Sequence, residues 1–277
     1  MSSRIGRTWG ALAWLLWLPG VGAAQNRIFP SVPSFERPEA SPRVHGLAAR
    51  LISAQRGDSR FGKEAEAEVA LGENFPVLAL RRGDRPITLG FGSQVYARFS
   101  LTDSKSSLIS NDWVVGLNST AIFGAWAFTL EAYHESSHLG DEYEDRTGAK
   151  RIDWTREVLA AWASYASGPW RFIGSASYTL RDELRLDRPG GSLGVDFRPP
   201  HRNGRGAIRP VGGVYLEADA ATSWRVSGSL KAGVALQATP GGREIGFAVI
   251  AHDGLSTQRQ FFREESRYLG LEVRFDL

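Results

Sequence analysis

The chain of 277 residues carries 33 basic and 30 acidic side chains and no cysteine, which excludes disulfides and thiolate metal sites. Such a near balance of charge gives no reason to expect a nucleic-acid partner. Glycine and tryptophan are both frequent, at 31 and 9 residues, while methionine occurs once.

Residues 1–24 are predicted to be a cleavable secretory signal. Arg4 and Arg7 form its basic start, a short apolar stretch follows at 9–18, and small residues at 22–24 suit cleavage before Gln25. Cleavage would leave 31 basic and 30 acidic residues. No later apolar run reaches the ~18 residues of a membrane helix. Together with the abundant glycine and aromatic residues, these features favour an exported protein of the bacterial outer membrane.

The stretch 25–43 is rich in proline and serine, and it is predicted to be an extended periplasmic lead-in to a barrel over 44–277. Twelve segments of alternating polarity follow, separated by turn residues. They cover 44–55, 65–80, 87–100, 112–122, 126–138, 152–166, 170–180, 192–198, 211–218, 224–237, 244–251 and 268–275. The predicted fold is therefore all-β, an antiparallel transmembrane outer-membrane barrel of about 12 strands.

Loop lengths predict the direction of the strands. The connections at 139–151, 181–190 and 252–267 are long and charged, as expected of extracellular loops, whereas those between them are short except for the basic stretch 199–209. The last strand alternates apolar and polar residues up to Phe275, which resembles the signal recognised by the barrel-assembly machinery, a predicted partner. A soluble β-sandwich is the competing fold, but its outward tryptophans and leucines would be a liability in water.

A dense group of His, Ser, Asp and Glu occupies residues 134–144, directly after a strongly apolar strand face. Every second side chain of a strand shares a face, so His134, Ser136 and His138 continue the apolar stripe of residues 126–132. The same side chains would lie near the outer headgroups, because a long outer loop follows them.

The string H-E-S-S-H at 134–138 also matches the zincin pattern H-E-x-x-H. Zincin chemistry needs a helix, on which both histidines reach one metal. On a strand His134 and His138 stand ~13 Å apart, too far for a shared ion. A metal-binding H-E-x-x-H site is therefore the minor alternative.

A serine lipid acyl hydrolase is the favoured enzymatic interpretation. On a strand the Cα atoms of His134 and Ser136 lie ~6.5–7 Å apart on one face, so the imidazole can accept the serine proton. This arrangement resembles outer-membrane phospholipase A and the lipid A deacylases, which carry His-x-Ser-Asn on the lipid-facing side of a barrel strand. The resemblance implies His134 as general base and Ser136 as nucleophile, with Ser137 standing where those families have Asn.

Those families also place an acid or amide on a neighbouring strand to orient the histidine. Asp153 and Glu157 lie on the next strand, but with Trp154 taken as an outward aromatic, alternation predicts that both face inward. Asp112, at the top of the preceding strand, is also predicted to face inward. The sequence therefore assigns no third catalytic member.

Two further patterns describe the predicted barrel. Charges on inward positions predict a polar lumen: Glu131, Glu217 and Asp219. Aromatic side chains predicted to lie at the membrane interfaces are Trp113, Trp154, Trp162, Trp170 and Trp224.

A family resemblance covers the site. YHESSHLGDEY, preceded by SNDWVVGLN at 110–118, is similar to the domain-of-unknown-function 1207 family of exported, predicted outer-membrane proteins. The resemblance implies a barrel, supplies no activity, and suggests that one signature acts as a unit: His134, Ser136, Ser137, His138, Gly140, Asp141 and Glu142. Asn111 and Asp112 of the first string would support it. Gly140 would allow a tight turn that folds Asp141 and Glu142 back over the histidines.

The non-catalytic alternative is a structural or pore-forming envelope barrel. In it, the same polar residues fix an extracellular loop and contact outer-membrane lipids, lipopolysaccharide headgroups or a divalent cation. No other cofactor is predicted, and the oligomeric state is left open.

Overall fold

The computed structural model describes residues 27–30, 34–56, 65–82, 85–102, 105–200, 207–237 and 243–275. The strands are β1 (Arg27–Ile28), β2 (Leu47–Arg56), β3 (Ala65–Arg82), β4 (Arg85–Ser100), β5 (Leu108–Phe123), β6 (Trp126–Leu139), β7 (Trp154–Ser167), β8 (Trp170–Asp182), β9 (Pro189–Phe197), β10 (Ala207–Asp219), β11 (Ser227–Gln237), β12 (Glu244–Leu255) and β13 (Glu265–Phe275). Helix α1 spans Asp141–Thr147, and two 3₁₀ turns span Ala220–Thr222 and Arg259–Phe261.

Strands β2 to β13 form one closed antiparallel barrel. Each pairs with its neighbours in sequence, and β13 pairs back with β2 from Phe275↔Leu47 upward. The short β1 lies outside this ring, beside the lower part of β3. The predicted all-β barrel of 12 strands is thus confirmed, because alternating polarity and turn residues recur at the spacing that a closed sheet needs.

The two faces of the barrel wall differ as a membrane barrel requires. On the last strand Leu269 and Leu271 are exposed on the outside, whereas Glu272 is buried inside. Trp113, Trp170 and Trp224 are exposed as predicted. Two other tryptophans face inward instead, which corrects the interface prediction for Trp154 and Trp162.

The stretch 34–46 lies inside the barrel, so residues 34–43 do not form the extended periplasmic lead-in predicted for 25–43. Phe35 packs on the inward Trp162 with ring centroids 6.2 Å apart. Glu39 accepts a 3.0 Å bond from Lys231, and Arg37 pairs with Glu131 at 2.5 Å. Polar lumen walls explain the difference, because they supply partners for the charges of this stretch.

The loop at 256–264 enters the lumen from the opposite end. Gln258 is almost fully buried and bonds Ser110 at 2.8 Å and Glu68 at 3.1 Å. The lumen is therefore packed from both ends, and a cavity of about 170 Å³ remains among arginine, tyrosine and small side chains.

The predicted signal peptide and its cleavage site, the lead-in residues 25–26 and 31–33, and the central part of the basic loop at 201–206 lie outside the described residues. No helix in the described part of the chain is long and apolar enough to cross a membrane.

Candidate functional site

Strand β6 carries the predicted site on its outward face. Leu130 is 64% exposed, and the alternation continues with His134, Ser136 and His138 on that face. Glu135 is buried on the opposite, inward face. Because β6 remains extended to Leu139, the two sets of side chains stay separated by the barrel wall.

Glu157 of strand β7 meets His134 on the outward face. The two residues are direct cross-strand neighbours, and His134 Nδ1 lies 2.9 Å from Glu157 Oε1. Their side chains are 39% and 46% exposed. The prediction that Glu157 faces inward is therefore wrong, because its anchor was wrong: Trp154, taken as an outward aromatic, is buried in the lumen.

Asp153 is the other carboxylate that the sequence offered on this strand. It precedes the first residue of β7, is exposed, and accepts a 3.1 Å bond from Thr155. Glu157 rather than Asp153 is the acid that reaches His134.

Ser136 stands two residues from His134 on the same face. Its cross-strand neighbours are Trp113 on β5 and Thr155 on β7. Within the described residues, the Ser136 hydroxyl makes no hydrogen bond, so it is free to rotate toward the imidazole. Trp113 is held beside it by a 3.2 Å bond from its Nε1 to Asn111 Oδ1.

Asp112 and Ser137 lie behind the outward pair, inside the barrel. The Ser137 hydroxyl donates to Asp112 at 2.5 Å, and Asp112 is fully buried, as its predicted inward direction requires. Arg43 of the lumenal stretch bridges Asp112 at 2.5 Å and Glu135 at 2.7 Å. Burial and the nearby Arg259 oppose the charge of Arg43, but these two carboxylates outweigh them and raise its pKa.

Glu135 has two further partners. The backbone turn at 259–261 brings Arg259 Nε to 3.1 Å from its carboxylate, and Trp154 Nε1 donates to it at 3.1 Å. Gln260 also donates to the Ser137 carbonyl at 2.8 Å. The inward side chains of β6 are thereby tied to β5, to β7 and to both lumenal segments.

Gly140 has a different role from the tight turn predicted for it. Its φ is −71°, and an added Cβ would lie 1.8 Å from the Leu108 carbonyl oxygen, so the residue permits close backbone approach. Asp141 starts α1 and pairs with Arg151 at 2.8 Å, while Glu142 is exposed. The structure therefore does not bring Asp141 and Glu142 over the histidines.

The remaining predicted residues belong to the rim. His138 is exposed on the outward face, opposite Asn111 across the β5–β6 ladder. Residues 134–138 form a strand, with Glu135 on the other side of the barrel wall. Zincin chemistry needs a helix at this motif, so the observed geometry does not suit a zincin site. Across the described ranges, no three His, Asp or Glu side chains cluster to hold a metal ion.

Several residues of this region were not identified from sequence. Arg43 and Arg259 lie 69 and 147 residues from Asp112, and no local pattern links such distant positions. Glu157 was a candidate from the sequence but was assigned to the wrong face. Starting the alternation from Leu159, Ala161 and Tyr165, which face outward, gives its correct direction.

Solved structures of similar shape are outer-membrane barrels. Salmonella typhi outer membrane phospholipase, crystallised as a dimer with bound calcium, matches with a TM-score of 0.60 and 12% identity, covering 90% of this chain and 95% of that one. Escherichia coli outer membrane phospholipase A gives 0.60 and 12%, covering 85% and 98%. LpxR from Salmonella typhimurium gives 0.42 and 10%, covering 83% and 99%. The likeness to the two phospholipases shows the fold alone.

No curated protein matches the sequence. The family model described as "Protein of unknown function (DUF1207)" matches residues 23–277, so the resemblance predicted from the site signature is confirmed. The chain belongs to the DUF1207 family.

Proposed function

We propose that this barrel is a serine hydrolase of membrane-lipid acyl esters. Ser136 is the nucleophile, His134 the general base, and Glu157 the acid that orients His134. One observation carries the proposal: the 2.9 Å contact between His134 Nδ1 and Glu157 Oε1, on the outward face that also bears Ser136.

The contact fixes which imidazole nitrogen can act as the base. A carboxylate only accepts hydrogen bonds, so Nδ1–H donates to Glu157 and leaves Nε2 free to accept a proton. The mechanism requires the Ser136 side chain to rotate until Oγ reaches Nε2, and catalytic contacts of this kind often tighten only when substrate binds.

Hydrolysis then follows two acyl-transfer steps. Ser136 Oγ gives its proton to His134 and attacks the ester carbonyl, and collapse of the intermediate releases the alcohol part of the lipid with that proton. A water molecule, deprotonated by His134, next attacks the acyl-serine; the acyl–Oγ bond breaks, His134 returns the proton to Ser136 Oγ, and the fatty acid is released. Glu157 stabilises the imidazolium in both steps.

The surroundings of the pair support a lipid ester as substrate. Below it on the outer wall lie the apolar Leu130, Ala132 and Leu159, which an acyl chain can follow. Above it lie the polar His138 and Asn111, at the level expected for headgroups. An ester bond between these two zones reaches Ser136 without leaving the membrane.

The proposal includes the setting of the enzyme. An export signal at 1–24 and a barrel with an apolar outer band suit insertion into the outer membrane by the barrel-assembly machinery, in contact with its lipids and lipopolysaccharide. The phospholipases of similar fold act from such a barrel. A conducting pore is less favoured, because the stretch 34–46 and the loop at 256–264 occupy the lumen.

The test is ester hydrolysis by the refolded mature barrel on phospholipid vesicles and on lipid A. Ser136→Ala and His134→Ala should each lower kcat by at least ~10³-fold. Ser119→Ala is the matched control, because it removes another hydroxyl of the outer wall, opposite Leu130 and away from His134. Equal background rates in all four proteins would refute the proposed hydrolase activity and favour the non-catalytic structural barrel.

A further inference from the structure

The candidate site is held from behind by charges inside the barrel. Along β6 the outward His134 and Ser136 alternate with the inward Glu135 and Ser137. The backbone that positions the outward pair is therefore the same backbone whose inward side chains are fixed in the lumen.

Arg43 forms the centre of this attachment. One guanidinium nitrogen contacts Asp112 of β5 at 2.5 Å and the Thr257 carbonyl at 3.1 Å, while another contacts Glu135 of β6 at 2.7 Å. The side chains of Arg43, Asp112 and Glu135 are 13%, 0% and 4% exposed. A planar guanidinium spans two acceptors in fixed geometry, so Arg43 sets the lateral position of β5 against β6.

Glu135 also contacts β7, the third strand of the site. Its carboxylate accepts a 3.1 Å bond from Trp154 of β7, three residues before Glu157, and another from Arg259. Glu135 thus connects the strand that carries His134 and Ser136 to the strand that carries Glu157.

We propose that Arg43 and Arg259 are positioning residues for the hydrolase. Through Glu135 they set the distance between Ser136, His134 and Glu157, so the lumenal stretch 34–46 and the loop at 256–264 act as an internal scaffold for a site on the outer wall. This inference rests on the proposed function, since it assigns a catalytic purpose to lumenal residues that never touch the lipid.

The test compares Arg43→Met and Arg259→Met with Lys231→Met. Lys231 is also buried and holds the same lumenal stretch through Glu39 at 3.0 Å, but its partners lie away from β5, β6 and β7. Folding of each variant is checked by heat-modifiable migration in electrophoresis. Arg43→Lys keeps the positive charge but lacks the planar guanidinium, so it should fold and have a kcat between those of Arg43→Met and the wild type.

Two measurements separate positioning from loss of stability. The kcat of Arg43→Met and Arg259→Met should fall by about 10–100-fold with KM changed less than about twofold, the effect of a displacement near 1 Å at the reacting groups. The imidazole resonance of His134, assigned by its disappearance in His134→Gln, should shift in both variants. Lys231→Met should leave kcat and that resonance unchanged.

The inference is overturned if folded Arg43→Met and Arg259→Met match Lys231→Met in kcat and in the His134 resonance. An inactive wild-type protein would instead refute the proposed function. In that case the His134 resonance alone decides whether the lumenal charges control the geometry of the outer face.

Discussion

Removal of the Glu157 carboxylate is the most direct test of the outward pair. Glu157→Ala deletes the carboxylate that accepts from His134 Nδ1–H at 2.9 Å. Neither residue has a role in closing the lumen, so the change should affect the chemistry more than the fold.

The expected loss follows from the exposure of the pair. A hydrogen bond to a charged group contributes about 1.5–3 kcal/mol. The two side chains are 39% and 46% exposed, so water at the headgroup level replaces part of this contribution and the lower half of the range applies. At 1.36 kcal/mol per factor of ten, kcat should fall about 10–45-fold. Glu157→Gln keeps an acceptor without its charge and should lose less.

The assay is the initial rate of fatty-acid release from vesicles, measured for both variants beside Ser136→Ala. Asp153→Ala is the control, because this nearby carboxylate bonds Thr155 and not His134. A Glu157→Ala rate within twofold of wild type, with Ser136→Ala inactive, would show that Glu157 does not orient the base. A loss as large as that of Ser136→Ala would assign Glu157 a more direct part in the reaction.

Three further predictions concern the scaffold. Arg50→Met should lower the free energy of unfolding by about 1.5–3 kcal/mol, because the buried Glu68 and Glu272 each lose a charged hydrogen bond while keeping Arg98 and Lys231 as partners. Urea unfolding measures this, with the exposed pair variant Arg181→Met as a control expected to change stability by less than about 1 kcal/mol. Burial, then three nearby arginines, lowers the pKa of His45 well below 6.5. The unfolded chain therefore takes up a proton that the folded protein does not, so stability should fall as the pH drops below about 6.5, and His45→Gln should remove that part of the pH dependence. Gly140→Ala should prevent correct folding of the β6–α1 junction, because its Cβ would lie 1.8 Å from a backbone oxygen. Gly174 has more space around it, so Gly174→Ala is the control and should refold with the yield of the wild type.

The barrel could be predicted from the sequence because its signal is local and repeated. Alternation along β6 and β13 identified both faces correctly, and each strand needs only its own residues to show that pattern. The same rule failed on β7, where Trp154, Val158 and Trp162 give the inward face an apolar character of its own.

That failure has a physical cause inside the lumen. Trp154 packs on Phe262, and Trp162 packs on Phe35. Aromatic side chains face inward on β7 because the chain itself fills the lumen there, and sequence alternation cannot tell a lipid-facing aromatic from one facing a packed interior. The inward position of the 34–46 stretch was unpredictable for the same reason, because its partners lie on strands distant in sequence.

The division of the polar signature between two faces bears on what the site does. The contacts that hold the outer loop after β6 lie on the inward side. Gln260 donates to the Ser137 carbonyl, and Tyr143 packs on Phe261. On the outward side the two functions make different use of His134 and Glu157. A structural barrel would use them for contacts with lipid headgroups or a divalent cation, whereas the proposed hydrolysis of a lipid ester uses the pair together with Ser136. Loss of fatty-acid release in Ser136→Ala therefore distinguishes the two.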